Sequence, residues 1–181
     1  DFFALSGQTR DSEYRVAWVD CLARGPALGR GVYSHWCDAP GGSPVPPAPG
    51  SGLAVPVAPP FSLVNAASLR AFNTLYYRRA PVRPRRGIEH YQRFFYPLDG
   101  IANWNHIYGP KGFQQYQALI PDRDSQAGIG ALLKAIAESG TGSFLAVLKR
   151  CGDVPSPGLL SFPRPGTTLA LDFPQTEQLT A

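Results

Sequence analysis

The residue types that could do chemistry recur at every second position along separate strand-like segments. In Phe113 to Ile120, a period of two puts Gln115 and Gln117 on one face and Tyr116, Ala118 and Ile120 on the other. In Phe144 to Lys149, the face bearing Lys149 also carries Leu145 and Val147. In Thr167 to Phe173, Leu169, Leu171 and Phe173 make an apolar face, while Thr168, Ala170 and Asp172 make a small, polar one. If these polar faces coincide in one sheet, they form a surface with donors, acceptors and a positive charge. Such a surface suits a polyol or a sugar phosphate. The plainer reading of each residue stands beside this one. Strand glutamines and lysines are usually solvated, and an aromatic such as Trp18 usually belongs to a core.

No self-contained catalytic apparatus is legible. The sequence has no Gly-rich phosphate loop after a strand, no GxSxG elbow and no metal-ligand spacing. His35, His90 and His106 are far apart, which favours structural roles. Cys21, Cys37 and Cys151 are odd in number and lack CxxC spacing. They predict neither a zinc site nor a disulfide framework, but reduced thiols in a reducing compartment.

The elements that must position these residues follow from periodicity and turn chemistry. Tyr14 to Asp20 alternates as a strand, and a turn through Gly25-Pro26 leads to a return strand at Gly31 to His35, predicting an antiparallel pair. Ser68 to Tyr77 reads as a helix capped by Ser68, with Leu69, Phe72, Leu75 and Tyr76 on one face. Asp99 to Tyr108 suggests a further helical turn or two. Ile129, Leu132, Leu133 and Ile136 form the stripe of a helix that starts at Asp122 or Asp124 and ends at Gly140. From about residue 38 to 60 the chain is rich in Pro, Gly, Ala, Ser and Val, with no charge between Pro40 and Pro60. Such a stretch buries too little to offset its ordering entropy, so it predicts a mobile loop within one domain spanning residues 1–181. The mixed order of strands and helices predicts an α+β fold, an antiparallel sheet with helices on one side.

The bulk composition is compatible with that architecture. The chain has 181 residues, 44% hydrophobic and 17% charged, which is a globular composition. Nineteen prolines and nineteen glycines imply long loops and favour a β-rich architecture over a helix bundle. No apolar run approaches the roughly 20 residues of a membrane span. Methionine is absent, and the chain is expected to be excised from a longer polypeptide. The net charge of +4 is concentrated in Arg78, Arg79, Arg83, Arg85 and Arg86. That run reads either as a solvated loop or as a binding site for nucleic acid or anionic lipid.

The order of several short segments goes further. Ala17-Trp18-Val19-Asp20, Leu28-Gly29-Arg30-Gly31, Phe95-Tyr96-Pro97-Leu98-Asp99, Trp104-Asn105, Tyr108-Gly109-Pro110, Gly112-Phe113, Gln115-Tyr116-Gln117, Ser143-Phe144-Leu145, Leu160-Ser161-Phe162-Pro163 and Asp172-Phe173-Pro174 occur in sequence across nearly the whole chain. Together they resemble the substrate domain of the decaprenylphosphoryl-ribose 2′-oxidase family of vanillyl-alcohol-oxidase-like flavoproteins.

The resemblance implies an oxidoreductase in which a separate domain, absent from this chain, binds FAD. A sugar hydroxyl would be oxidised to a ketone by hydride transfer to the flavin. It implies that Trp18, Phe95, Gln115, Gln117, Val147, Lys149, Cys151, Thr168 and Ala170 line the substrate site. Lys149 would hold the substrate's hydroxyl or phosphate, and Gln117 would orient the sugar. It further implies a sugar or polyprenyl-phosphoryl sugar as substrate, an epimerising reductase as partner, a role in cell-wall arabinan synthesis and peripheral membrane association. Nucleic acid is not expected under this reading. The expected location is the cytoplasm or its membrane face, with the periplasm as the alternative.

Departures from the family pattern bear on the substrate. Phe95 stands where the mycobacterial enzymes have tyrosine, Thr168 and Ala170 where they have asparagine and cysteine, and Cys151 where they have phenylalanine. The missing thiol at Ala170 implies that nitroaromatic inhibitors which trap it form no adduct here. A lysine near the family's flavin would lie beyond Ala181. On its own, the chain is expected to be colourless and inactive. The competing readings are a non-catalytic module that binds nucleic acid or anionic lipid through Arg78 to Arg86, and a sugar-lactone oxidase relative.

Overall fold

The computed structural model describes residues 1–41, 46, 52–81 and 83–176. In chain order its elements are α1 (Phe2–Gln8), β1 (Tyr14–Val19), β2 (Gly31–Trp36), β3 (Leu53–Ala54), α2 (Ala66–Arg79), α3 (Tyr91–Phe95), β4 (Ile101–Ala102), β5 (Phe113–Pro121), α4 (Ser125–Ser139), β6 (Val147–Cys151) and β7 (Gly166–Pro174), with short 3-10 turns between them. They fall into two compact units. The first comprises Asp1–Cys37, Asn65–Ala80 and Gln114–Phe173; the second comprises Asp38–Val64, Pro81–Phe113 and Pro174–Ala181.

The first unit is built on a five-stranded sheet in the order β2-β1-β6-β7-β5. The pairs β1–β2, β1–β6 and β6–β7 are antiparallel. This sheet with its helices is the expected α+β class. The buried core includes Ala17, Val19, Leu148, Leu169 and Leu171, with Ile129, Leu133 and Ala137 of α4. Ala17, Leu148 and Leu169 are neighbours across β1, β6 and β7, so they mark one face as the packed one. The α4 helix covers this face. Its Gly128 lies so close to Ile120 of β5 that an added Cβ would sit 2.7 Å from Ile120 Cδ1.

Local details differ from the sequence-based expectations for identifiable reasons. The N-cap of α2 is Asn65, whose side chain accepts from Ala67 N and Ser68 N, while Ser68 Oγ accepts from Asn65 N; Ser68 is thus the third residue of a capping box. The expected apolar stripe of α2 also turns outward. Leu69 and Asn73 are buried, whereas Phe72, Leu75 and Tyr76 are exposed. Asn73 explains the rotation, because its amide donates to the buried carboxylate of Asp20 at 2.9 Å. In α4, Leu132 and Ile136 are half-buried and Ala137 is buried instead. Neither Asp122 nor Asp124 caps α4 through its side chain. Ser125 Oγ instead donates to Ile120 O and Pro121 O.

The second unit contains the two-stranded parallel pair β3–β4, the helix α3 and a 3-10 turn at Trp104–Tyr108. Tyr108 is buried, with its ring 4.6 Å from that of Phe113. The expected mobile loop at about 38–60 falls partly on residues 42–45 and 47–51, which lie outside the described residues. At its far end, Leu53–Ala54 pairs with Ile101–Ala102. The helical turns expected over Asp99 to Tyr108 form only from Trp104, since Ile101 and Ala102 are spent on that ladder.

Candidate functional site

The site grows out of strand register. Opposed residues of an antiparallel pair share a face. Val16 stands opposite Lys149, which stands opposite Thr168. Trp18 stands opposite Val147, which stands opposite Ala170. Cys151 extends the same row, opposite Gly166. Six of the expected residues therefore occupy one face of the sheet, turned away from the packed face of Ala17, Leu148 and Leu169.

Two contacts orient β5. Gln115 Nε2 donates to Asp172 Oδ1 at 3.0 Å, and Asp172 follows Thr168 and Ala170 at the same two-residue period. Ile120, of opposite parity, lies against α4. Gln115 and Gln117 thus join the face of Lys149 and Thr168. The glutamines and the lysine lie on the same face of the sheet, Lys149 beside Thr168 and Gln115 beside Asp172, four residues further along β7.

The face has a buried floor and an exposed rim. Thr168 and Asp172 are 2% and 1% exposed. Ala170, Val147 and Cys151 are half-buried, and Gln115, Gln117 and Lys149 are exposed. Trp18 closes one side: its Nε1 donates to Phe144 O at 2.9 Å, and its ring lies 4.6 Å from that of Tyr76 on α2. Trp18 is therefore both a core residue and a wall.

The electrostatics leave groups in need of partners. Thr168 Oγ1 is buried without a hydrogen bond. A buried, unpaired hydroxyl costs about 1–3 kcal/mol. Lys149 and Gln117 make no polar contact among the described residues. Burial pushes the Cys151 thiol above its ordinary range, against the opposing pull of the Lys149 and Arg150 charges. Burial also raises the Asp172 carboxyl, with the Gln115 hydrogen bond acting against it. Ammonium, hydroxyl and amide on a shared surface can hold several hydroxyls in a fixed orientation. Among the described residues no group of His, Cys, Asp and Glu could hold a metal ion.

Phe95 belongs to the second unit, at the end of α3, with its ring 4.9 Å from that of Phe94. Asp172 was part of the expected polar face but was not singled out as a site residue, and Tyr76 was assigned only to a helix stripe. The two-residue period of Thr168, Ala170 and Asp172 was the available signal for the first. The histidines take local roles: His35 Nδ1 meets Ser12 Oγ at 2.8 Å, His106 Nδ1 meets Val55 O at 2.9 Å, and His90 caps α3. Cys21, Cys37 and Cys151 are free thiols. Arg78, Arg79, Arg83, Arg85 and Arg86 are all exposed.

Fold and site together define an α+β protein whose five-stranded sheet packs α4 on one face and carries a polar row on the other, flanked by α2 at Trp18. No known-family profile matches the chain. The chain is similar to the decaprenylphosphoryl-beta-D-ribose oxidase of Mycolicibacterium smegmatis, at 31% identity over 183 residues that cover 95% of this chain and 38% of that protein. It is also 31% identical over 178 residues to a Streptomyces coelicolor protein described as uncharacterized, in the mprA 5′ region, covering 89% of this chain and 47% of that protein. The chain spans less than half the length of these relatives. It is thus related in sequence to the ribose oxidase over nearly all of its own length.

Proposed function

We propose that the chain is the substrate-binding part of an FAD-dependent oxidoreductase that oxidises a sugar hydroxyl to a ketone. The observation that carries this reading is the shared polar face of Gln115, Gln117 and Lys149, in a chain similar to a ribose oxidase. The N-terminus of α2 is closed by its own capping box, which leaves no open amides there for the phosphates of FAD. Under this reading FAD is held mainly by a separate domain, where it supplies the hydride acceptor.

The residues of this chain bind and orient. Lys149 donates charge-assisted hydrogen bonds to a substrate hydroxyl or phosphate, Gln117 orients the sugar ring, and Trp18 and Val147 wall the site. The substrate class is a sugar or a polyprenyl-phosphoryl sugar, and a reductase acting on the ketone would complete an epimerisation. No helix among the described residues is long and apolar enough to cross a membrane. Replacing Lys149 by Ala in the full-length enzyme should lower kcat/KM at least tenfold, the lower bound for losing a charge-assisted bond of about 1.5–3 kcal/mol. Kinetics equal to wild type would remove Lys149 from the site.

The five exposed arginines favour a second reading, a surface for anionic lipid or nucleic acid. Binding to anionic vesicles or DNA that weakens with salt would support it, and salt-independent behaviour would dismiss it.

A further inference from the structure

We propose that Asp172 is a positioning residue that fixes the amide of Gln115, so that Gln115 presents an acceptor oxygen to a substrate hydroxyl. This rests on the reading of the sheet face as a sugar site, and it assigns a polarity to one contact within that site.

The argument starts from which atoms can donate. An ionised carboxylate only accepts hydrogen bonds, so its partner on Gln115 must be the NH2 end of the amide. The bond from Gln115 Nε2 to Asp172 Oδ1 is 3.0 Å long. With that end tied down, Oε1 of the exposed Gln115 is the end left over, and it has no partner among the described residues. An untethered glutamine could present either end, and it would lose rotamer freedom on binding.

Asp172 is built to hold that bond. It is 1% exposed, so it is a supporting group and not one that meets the substrate. Its backbone N–H donates to Ser143 Oγ at 3.2 Å. Ser143 is itself fully buried, and its Oγ also accepts from Leu145 N and donates to Leu145 O, both at 2.9 Å. The chain Ser143–Asp172–Gln115 therefore ties the rim of the site to the interior through hydrogen bonds.

The consequence is a pattern of complementary polarity. Within that face Gln115 offers an acceptor and Lys149 a donor. Hydroxyls at separate places on a polyol satisfy such a pattern, because each gives one hydrogen and accepts another. A group without a hydrogen to give, such as an ether or ketone oxygen, cannot satisfy Gln115 Oε1. The structure thereby assigns Gln115 to a free hydroxyl of the sugar.

The test exchanges donor and acceptor across the pair in the full-length flavoenzyme, with a short-chain prenylphosphoryl ribose as probe. Gln115→Ala should raise KM about fivefold, the value of one hydrogen bond of roughly 1 kcal/mol. Gln115→Glu places two carboxylates together and should raise KM by a similar factor, although it keeps acceptor oxygens. Asp172→Asn frees the amide and should raise KM several-fold. In the double variant Gln115→Glu with Asp172→Asn, the new amide donates to the new carboxylate, so an acceptor again faces the sugar. KM should return to within about threefold of wild type. A double variant no better than the worse single one, with Gln115→Ala still impaired, would overturn the positioning role and leave the sugar site standing. Wild-type kinetics for Gln115→Ala would sink the sugar site itself. If Asp172→Asn fails to fold, Gln115→Glu decides alone, because unchanged KM in that variant contradicts the pairing.

Discussion

Replacing Asp20 by Ala should cost the fold about 3 kcal/mol. Asp20 sits just past β1, is 3% exposed and serves as an acceptor for three elements. Its Oδ2 receives Arg30 Nε at 2.9 Å and Nη2 at 2.7 Å, and its Oδ1 receives Leu22 N at 3.1 Å and Asn73 Nδ2 at 2.9 Å. Breaking a fully buried pair costs about 3–5 kcal/mol. Arg30 is 28% exposed and can recover some hydration, which moves the value toward the lower end. Asn73 is fully buried and cannot recover any, so its lost partner adds about 1–3 kcal/mol within that total. Against a typical stability of about 5–15 kcal/mol the loss is large.

Equilibrium urea unfolding followed by tryptophan fluorescence measures it. With a slope of about 2 kcal/mol/M, the midpoint should fall by roughly 1.5 M. Asn73→Ala and the double variant complete a cycle, and their coupling should exceed about 1 kcal/mol. A loss below about 1 kcal/mol for Asp20→Ala, or full additivity with Asn73→Ala, would refute the claim that this carboxylate joins β1 to α2.

Three further outcomes are expected. Gly166→Ala should destabilise by about 1–3 kcal/mol, because the new Cβ would sit 2.4 Å from Ile120 O, whereas Gly130→Ala on open α4 surface should stabilise by about 0.5–1 kcal/mol; thermal melts compare them. Thiol labelling at pH 8 should modify exposed Cys37 first, half-buried Cys151 more slowly, and Cys21 only on unfolding, since burial pushes the Cys21 thiol up to about 11; fast labelling of Cys21 in the native state would contradict its packing. Burial raises the Asp172 carboxyl above its ordinary 3.8, so its contribution is fully present below that value and is lost as pH rises through the higher folded value. Asp172→Asn should therefore gain stability relative to wild type between pH 3 and pH 7, as read by urea midpoints, and a difference that does not change with pH would contradict the shift.

Much of the site was legible because strand alternation is a local code. Gln115 with Gln117, and Thr168 with Ala170, could be grouped before any strand order was known, and the registers then brought the groups together. What the code could not carry was tertiary. The partner of Asp172 lies 57 residues away, so nothing near it marks its role. Strand β6 starts at Val147, later than the apolar run from Phe144 suggests. Phe144 O is taken by the Trp18 indole and Leu145 by Ser143, so side chains hold the segment before the ladder begins. The α2 stripe misled because a polar pair, Asn73 with Asp20, decides which side of that helix turns inward.

The sheet-bearing unit is assembled from three stretches of chain, and the two intervening segments belong to the other unit. Lengthening a connecting segment is cheap, about 0.6 kcal/mol of closure entropy for each doubling. Insertions at 38–64 or 81–113 can therefore be tried by evolution, or by an engineer, with the registers of the five-stranded sheet untouched, since the polar row is carried by the other three stretches.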